Sequence, residues 1–144
     1  MLRQITKRLP SIVLVAACMG STAATAQSVI VQFLNGRSGN PVSKGKPVHV
    51  RFYTGEIKHL LTLHTSTQGE VEFDAQSATG FNVTLAGYVP CFGASAVNDY
   101  SVAELRGNGL VTTDDCGKLN PQPVPGRLIY FVRSATLLER LESE

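Results

Sequence analysis

Asn35-Gly-Arg-Ser-Gly-Asn-Pro-Val42, followed by Pro47-Val-His-Val-Arg-Phe-Tyr53, decides the fold. Glycine and asparagine accept positive φ and proline cannot continue a central strand, so the first stretch is a turn. The second alternates strictly, with Val48, Val50 and Phe52 on one face and His49, Arg51 and Tyr53 on the other. A turn followed by a strand with one dry and one wet face indicates a half-exposed β-sheet.

The same grammar continues on both sides. Ser28–Leu34 is apolar and β-branched on both faces, as for a strand buried on two sides. Lys58–Thr65 reads as a further apolar strand, and Ser66-Thr-Gln-Gly69 turns it into Glu70–Asp74, with Val71 and Phe73 inward. Phe81–Leu85 alternates again. Residues 89–126 are rich in Gly, Pro and Asn and read as long connections with short strands at Ser101–Leu105 and Leu110–Thr113. Pro121, Pro123 and Pro125 lead to Arg127–Arg133, the last and most apolar strand. Thr136-Leu-Leu-Glu139 fits a capping box, and Leu137, Leu138 and Leu141 share a helical face, predicting a short helix that covers a sheet edge or core end. Short strands separated by turns, with almost no helix, predict an all-β antiparallel sandwich.

The 35–42 turn with its following strand, together with Thr67-Gln-Gly-Glu-Val-Glu-Phe73, resembles the carboxypeptidase regulatory-like domains. The likeness covers about residues 28–88. It implies a transthyretin-like (prealbumin-like) sandwich of about seven strands, shared with Cna-B repeats and starch-binding-like modules. Cys116-Gly-Lys118 and the strand and helix at 127–141 are similar to small secreted bacterial proteins carrying this domain alone. The chemistry of related families does not transfer. The Lys–Asn crosslink of Cna-B domains is not expected, because Ser28–Leu34 holds no Lys and Arg127–Arg133 no Asn. The Tyr-Arg-Gly-Ser ending of the transthyretin-like hydrolases is replaced by Tyr130-Phe-Val-Arg-Ser134.

The N-terminus sets the compartment. Arg3, Lys7 and Arg8 precede an apolar run at 9–19, and Ala24-Thr-Ala26 before Gln27 is an A-x-A cleavage site, the order of a secretory signal peptide. The expected division is a leader at 1–26 and one β-sandwich domain at 27–144, secreted or periplasmic. Val15-Ala-Ala-Cys18 resembles a lipobox, so lipidation at Cys18 and membrane anchoring stand as the alternative. Three of the thirteen Lys and Arg and none of the eleven acids lie in 1–26, which leaves ten against eleven in the remainder. A net charge of −1 gives no case for a nucleic-acid footprint, which needs clustered Lys and Arg. Cys91 and Cys116 remain after cleavage, and in an oxidising compartment they are expected to form a disulfide.

Catalytic constellations are scarce. His59 and His64, five apart on a strand, point to opposite faces, and a metal site with His49 would need a third ligand such as Glu72 or Asp74. No Ser sits in a nucleophile elbow. Asp114, Asp115 and Asp99 could be read as paired carboxylates but suit turns equally well, and Asn108-Gly109 is a hairpin signal. Tyr53, Tyr88 and Tyr100 are the candidate ligand surface, since aromatic rings stack on sugars and other planar groups, although the chain has no Trp. The expectation is a non-catalytic binding or structural module of the envelope or extracellular space. It would bind an unidentified protein or glycan and use no cofactor, metal or nucleic acid. The alternatives are a carbohydrate-binding module and, further off, a small secreted hydrolase.

Overall fold

A computed structural model describes residues 28–93 and 99–142, so the expected leader and Cys18 lie outside the described residues. The described residues form nine strands and two short helices, mostly β and arranged in two sheets. In chain order the strands are β1 (Ser28–Asn35), β2 (Pro47–Thr54), β3 (Ile57–His64), β4 (Glu70–Asp74), β5 (Gly80–Leu85), β6 (Tyr88–Pro90), β7 (Tyr100–Ser101), β8 (Leu110–Val111) and β9 (Arg127–Ser134). Helix α1 (Val102–Asn108) follows β7, and α2 (Leu137–Leu141) follows β9. Sheet A runs β4-β1-β9-β6, with β8 also on β9, and sheet B runs β3-β2-β5-β7.

Alternation places the main core between the sheets. Val48, Val50 and Phe52 of β2, Val71 and Phe73 of β4, and Phe81, Val83 and Leu85 of β5 are all buried, as the sequence pattern requires. From sheet A, Val29, Val31 and Phe33 of β1 and Leu128, Tyr130 and Val132 of β9 complete it. The rings form a continuous chain of contacts: Phe52–Phe73 at 6.1 Å, Phe73–Phe81 at 5.6 Å, Phe81–Tyr100 at 5.7 Å, Tyr100–Tyr130 at 6.2 Å and Phe33–Tyr130 at 5.4 Å.

The two turns that carry the family resemblance meet in space. Gly39 adopts φ +74° within the first turn, which closes with the Leu34↔Pro41 bridge. Gly69, at φ +70°, donates nothing to that turn but its carbonyl accepts from Phe33 N–H at 2.8 Å. A Cβ on Gly69 would lie 2.6 Å from the Phe33 carbonyl and 3.1 Å from the Val42 nitrogen, so this close approach requires glycine.

Three expectations about the strands need correction. The sheets are not purely antiparallel: β1 pairs β9 in parallel from Ile30↔Arg127 to Asn35↔Val132, and β8 also pairs β9 in parallel. Ser101–Leu105 is not a strand. Only Tyr100–Ser101 is extended, and Ser101 then caps α1 by accepting the Glu104 N–H at 3.3 Å. β1 is buried on one face only, with Ser28, Ile30 and Gln32 half-exposed. β3 is an edge strand whose first half is exposed on both faces, while Leu61 and Leu63 further along pack partly buried against the core.

The capping box at the C-terminus forms as its sequence indicates. Thr136 Oγ1 accepts Glu139 N–H, and Glu139 Oε2 accepts Thr136 N–H at 2.7 Å. The helix covers nothing, however: Leu137, Leu138 and Leu141 are 74%, 73% and 62% exposed. Its anchor is polar instead, two hydrogen bonds from Arg133 to the Glu139 carboxylate at 2.7 and 3.0 Å.

Candidate binding face

The outer faces of the two sheets differ. β9 is buried on both sides, and its outward residues Ile129 and Phe131 form a second small apolar cluster with Cys91. Leu34, Val111 and Cys116 close over it. The Cys91–Cys116 disulfide, with Cα atoms 5.4 Å apart, ties down this cover. Thr112 pins it further, donating its N–H to the Ile129 carbonyl and accepting Phe131 N–H on Oγ1, both at 2.9 Å.

Asp114 organises the turn before the second cysteine. Its buried carboxylate accepts N–H groups from Cys116 and Gly117 at 3.1 Å and from Leu119 at 2.9 Å. Among the described residues the one cluster of three potential metal-ligating side chains is Cys91, Asp114 and Cys116. Both sulfurs are spent in the disulfide and the carboxylate is occupied by backbone amides. Shallow recesses of about 340 and 430 Å³ flank this segment. Their charged groups are largely committed, Asp115 to Lys118 and Arg133 to Glu139.

Sheet B has no such cover among the described residues. Strand register builds its outer face in rows: Thr62–His49–Thr84, then Leu60–Arg51–Asn82, then Lys58–Tyr53–Gly80. His49 Nδ1 lies 3.2 Å from Thr62 Oγ1. Asn82 Nδ2 donates to Asp99 Oδ1 at 2.8 Å and to the Tyr53 hydroxyl at 3.5 Å. Tyr53 is therefore half-buried and held at its tip, and Arg51 is exposed beside it.

The three tyrosines named from sequence do not share a surface. Tyr53 stands on this face, whereas Tyr88 sits on β6 in the other sheet and packs against the core. Tyr100 leans into the core against Phe81 and lies 6.2 Å from the Tyr130 ring. Burial pushes the Tyr130 hydroxyl up to about 12, partly offset by its hydrogen bond with Tyr100. The histidines also separate. His49 and His64 lie on the outer face, while His59 turns inward to stack on Phe52 at 4.8 Å. Asp99 faces Asn82 on sheet B, away from Asp114 and Asp115 on the segment over sheet A.

Asn82 and Asp99 complete the face as a pair, and sequence reading picked out only Asp99, as a carboxylate. The alternation of Phe81–Leu85 already places Asn82 and Thr84 on a wet side. What the alternation lacks is the β2–β5 pairing that sets Asn82 opposite Arg51 and within reach of Tyr53. No known family, curated protein or solved structure matches this chain.

Proposed function

We propose that this chain is an exported, non-catalytic binding module that engages its ligand through the outer face of sheet B. Arg51 and Tyr53, neighbours along β2 that no described segment covers, carry this reading, with the Tyr53 hydroxyl reached by Asn82, which Asp99 in turn holds. A ring held at its hydroxyl loses little freedom on binding, and the neighbouring guanidinium supplies directional donors. Export rests on the leader-like residues 1–26, with lipidation at Cys18 as the membrane-anchored variant. The transthyretin-like, carboxypeptidase regulatory-like assignment draws support from the two signature turns, which pack together at Gly69.

A carbohydrate ligand is favoured within this reading. An aromatic ring beside Arg, Asn, Asp and His side chains on one sheet face offers both stacking and hydroxyl recognition. A glycan array probed with the purified protein, and with Tyr53→Ala and Arg51→Ala, tests it. Signal on a defined glycan class, lost in both variants while thermal unfolding is unchanged, is the expected result. Signal that survives both substitutions would move the ligand elsewhere. An array without signal would turn the search to protein partners of the same face.

A further inference from the structure

β3 is hydrogen-bonded to β2 over eight residue pairs, and no described strand covers its other side. Such an edge presents unpaired N–H and C=O groups and recruits another strand unless it is guarded. The β4 edge of sheet A is guarded. β4 has five residues and carries Glu70, Glu72 and Asp74, with Glu70 held by Arg127 and Glu72 by Ser28. β3 has eight residues, no proline, no acid and a single lysine. It also exposes Leu60 and Ile57, 66% and 63% accessible, on its two faces.

We infer that the free edge of β3 docks the β3 of a second copy of this chain, antiparallel, about a two-fold axis at Leu60. Residues opposite one another in an antiparallel pair share a face, so an axis normal to the sheet must pass through a residue rather than between two. The middle of β3 offers Leu60 or Leu61. Centred on Leu60, the exposed leucines meet, Ile57 faces Leu63, His59 faces Leu61, and Lys58 faces Thr62. Centred on Leu61, each exposed Leu60 faces Thr62 instead and the two leucines do not meet. The first register sets the two exposed Leu60 side chains against each other, and the contact closes at two copies. The acidic β4 of another copy is a poorer occupant, because Glu70 and Glu72 already have partners within their own sheet. Pairing at Leu60 joins the four strands of each sheet B into one eight-stranded surface.

Sedimentation equilibrium of the purified protein tests the inference. One strand pair is a small interface, so a reversible dimer in the micromolar-to-millimolar range is expected. Leu60→Lys sets two ammonium groups at the axis and should weaken the dimer by about tenfold or more. Leu138→Lys, equally exposed on α2, should leave it unchanged. Thr62→Glu faces Lys58 twice per dimer and should tighten it about fivefold, the sum of two exposed ion pairs. All three sites are exposed, and unchanged thermal unfolding verifies that each variant folds. A monomer at every concentration, or a dimer indifferent to Leu60→Lys, overturns the inference. Weakening by Thr62→Glu overturns the Leu60 axis. Protection of β3 amides that requires an added envelope extract would assign the edge to another protein and likewise overturn self-pairing.

Discussion

β9 and β2 are both eight-residue strands with neighbours on each side, yet among the described residues the outer side of β9 is closed and that of β2 is open. β9 reads as a run of apolar residues, so both of its sides need cover, and the disulfide-tied residues 110–116 provide it for Ile129 and Phe131. β2 alternates, so its outer side needs none, and His49, Arg51 and Tyr53 remain on the surface. The difference teaches that the irregular segment of this chain is structural, while its most regular strand presents the candidate ligand groups.

Four substitutions or conditions sharpen or break that contrast. The largest effect is expected from Phe131→Ala, which empties the covered cluster and should cost about 4 kcal/mol in denaturant unfolding. Arg51→Ala on the open face should stay within about 0.5 kcal/mol. Equal costs at the two positions would erase the distinction between the faces. Next, replacing Cys91 and Cys116 by Ala should lower stability by about 3.5 kcal/mol, the loop-closure entropy of a 25-residue separation. The amides of Thr112 and Phe131 should then lose hydrogen-exchange protection, while those of β2 and β5 keep it until global unfolding.

Gly36 comes third. It sits under the disulfide, where a Cβ would lie 2.4 Å from Asp114 Oδ1 and 2.5 Å from Cys91 Sγ. Gly36→Ala should therefore cost about 2 kcal/mol by overpacking. Gly107→Ala, in α1 with nothing within 4 Å of the new Cβ, should instead stabilise by about 0.8 kcal/mol. Both are read from urea midpoints. The smallest effect concerns α2. Hydrogen bonds from Arg133 hold the Glu139 carboxyl down at about 2, aided by the Thr136 backbone N–H. A depressed carboxyl stabilises the folded form above the unfolded value near 4.3, and that contribution is lost as pH falls toward 2. Amide signals of 137–141 should thus broaden between about pH 4.3 and 2 while those of β2 hold, and Glu139→Gln should show the frayed state at neutral pH.

The sequence was legible where period and spacing act locally. Strict alternation located the buried residues of β2, β4 and β5, and the Thr136–Glu139 spacing located the capping box. Ser101-Val-Ala-Glu104 has that same spacing, yet the Gly- and Asn-rich surroundings made α1 look like strand and loop. The parallel β1–β9 pair was illegible because it joins residues as far apart as Gln32 and Ile129, with no connection between them that announces a direction. The leucines of α2 read as a face that covers the sheet or core, since hydrophobicity records what a side chain favours and not whether a partner faces it. The candidate face divides in the same way. Tyr53, Arg51 and His49 follow from one alternating strand, whereas the Asn82–Asp99 support for Tyr53 exists only once β5 lies beside β2.

The central claim is that ligand meets the outer face of sheet B. Backbone amide shifts of the isotopically labelled protein, followed while neutral and acidic envelope oligosaccharides are added, test it most directly. Saturable shifts are expected at His49, Arg51, Tyr53, Asn82 and Thr84, with Ile129 and Phe131 unmoved. Shifts confined to residues 112–120 or to α2, with the β2 amides silent, would contradict it.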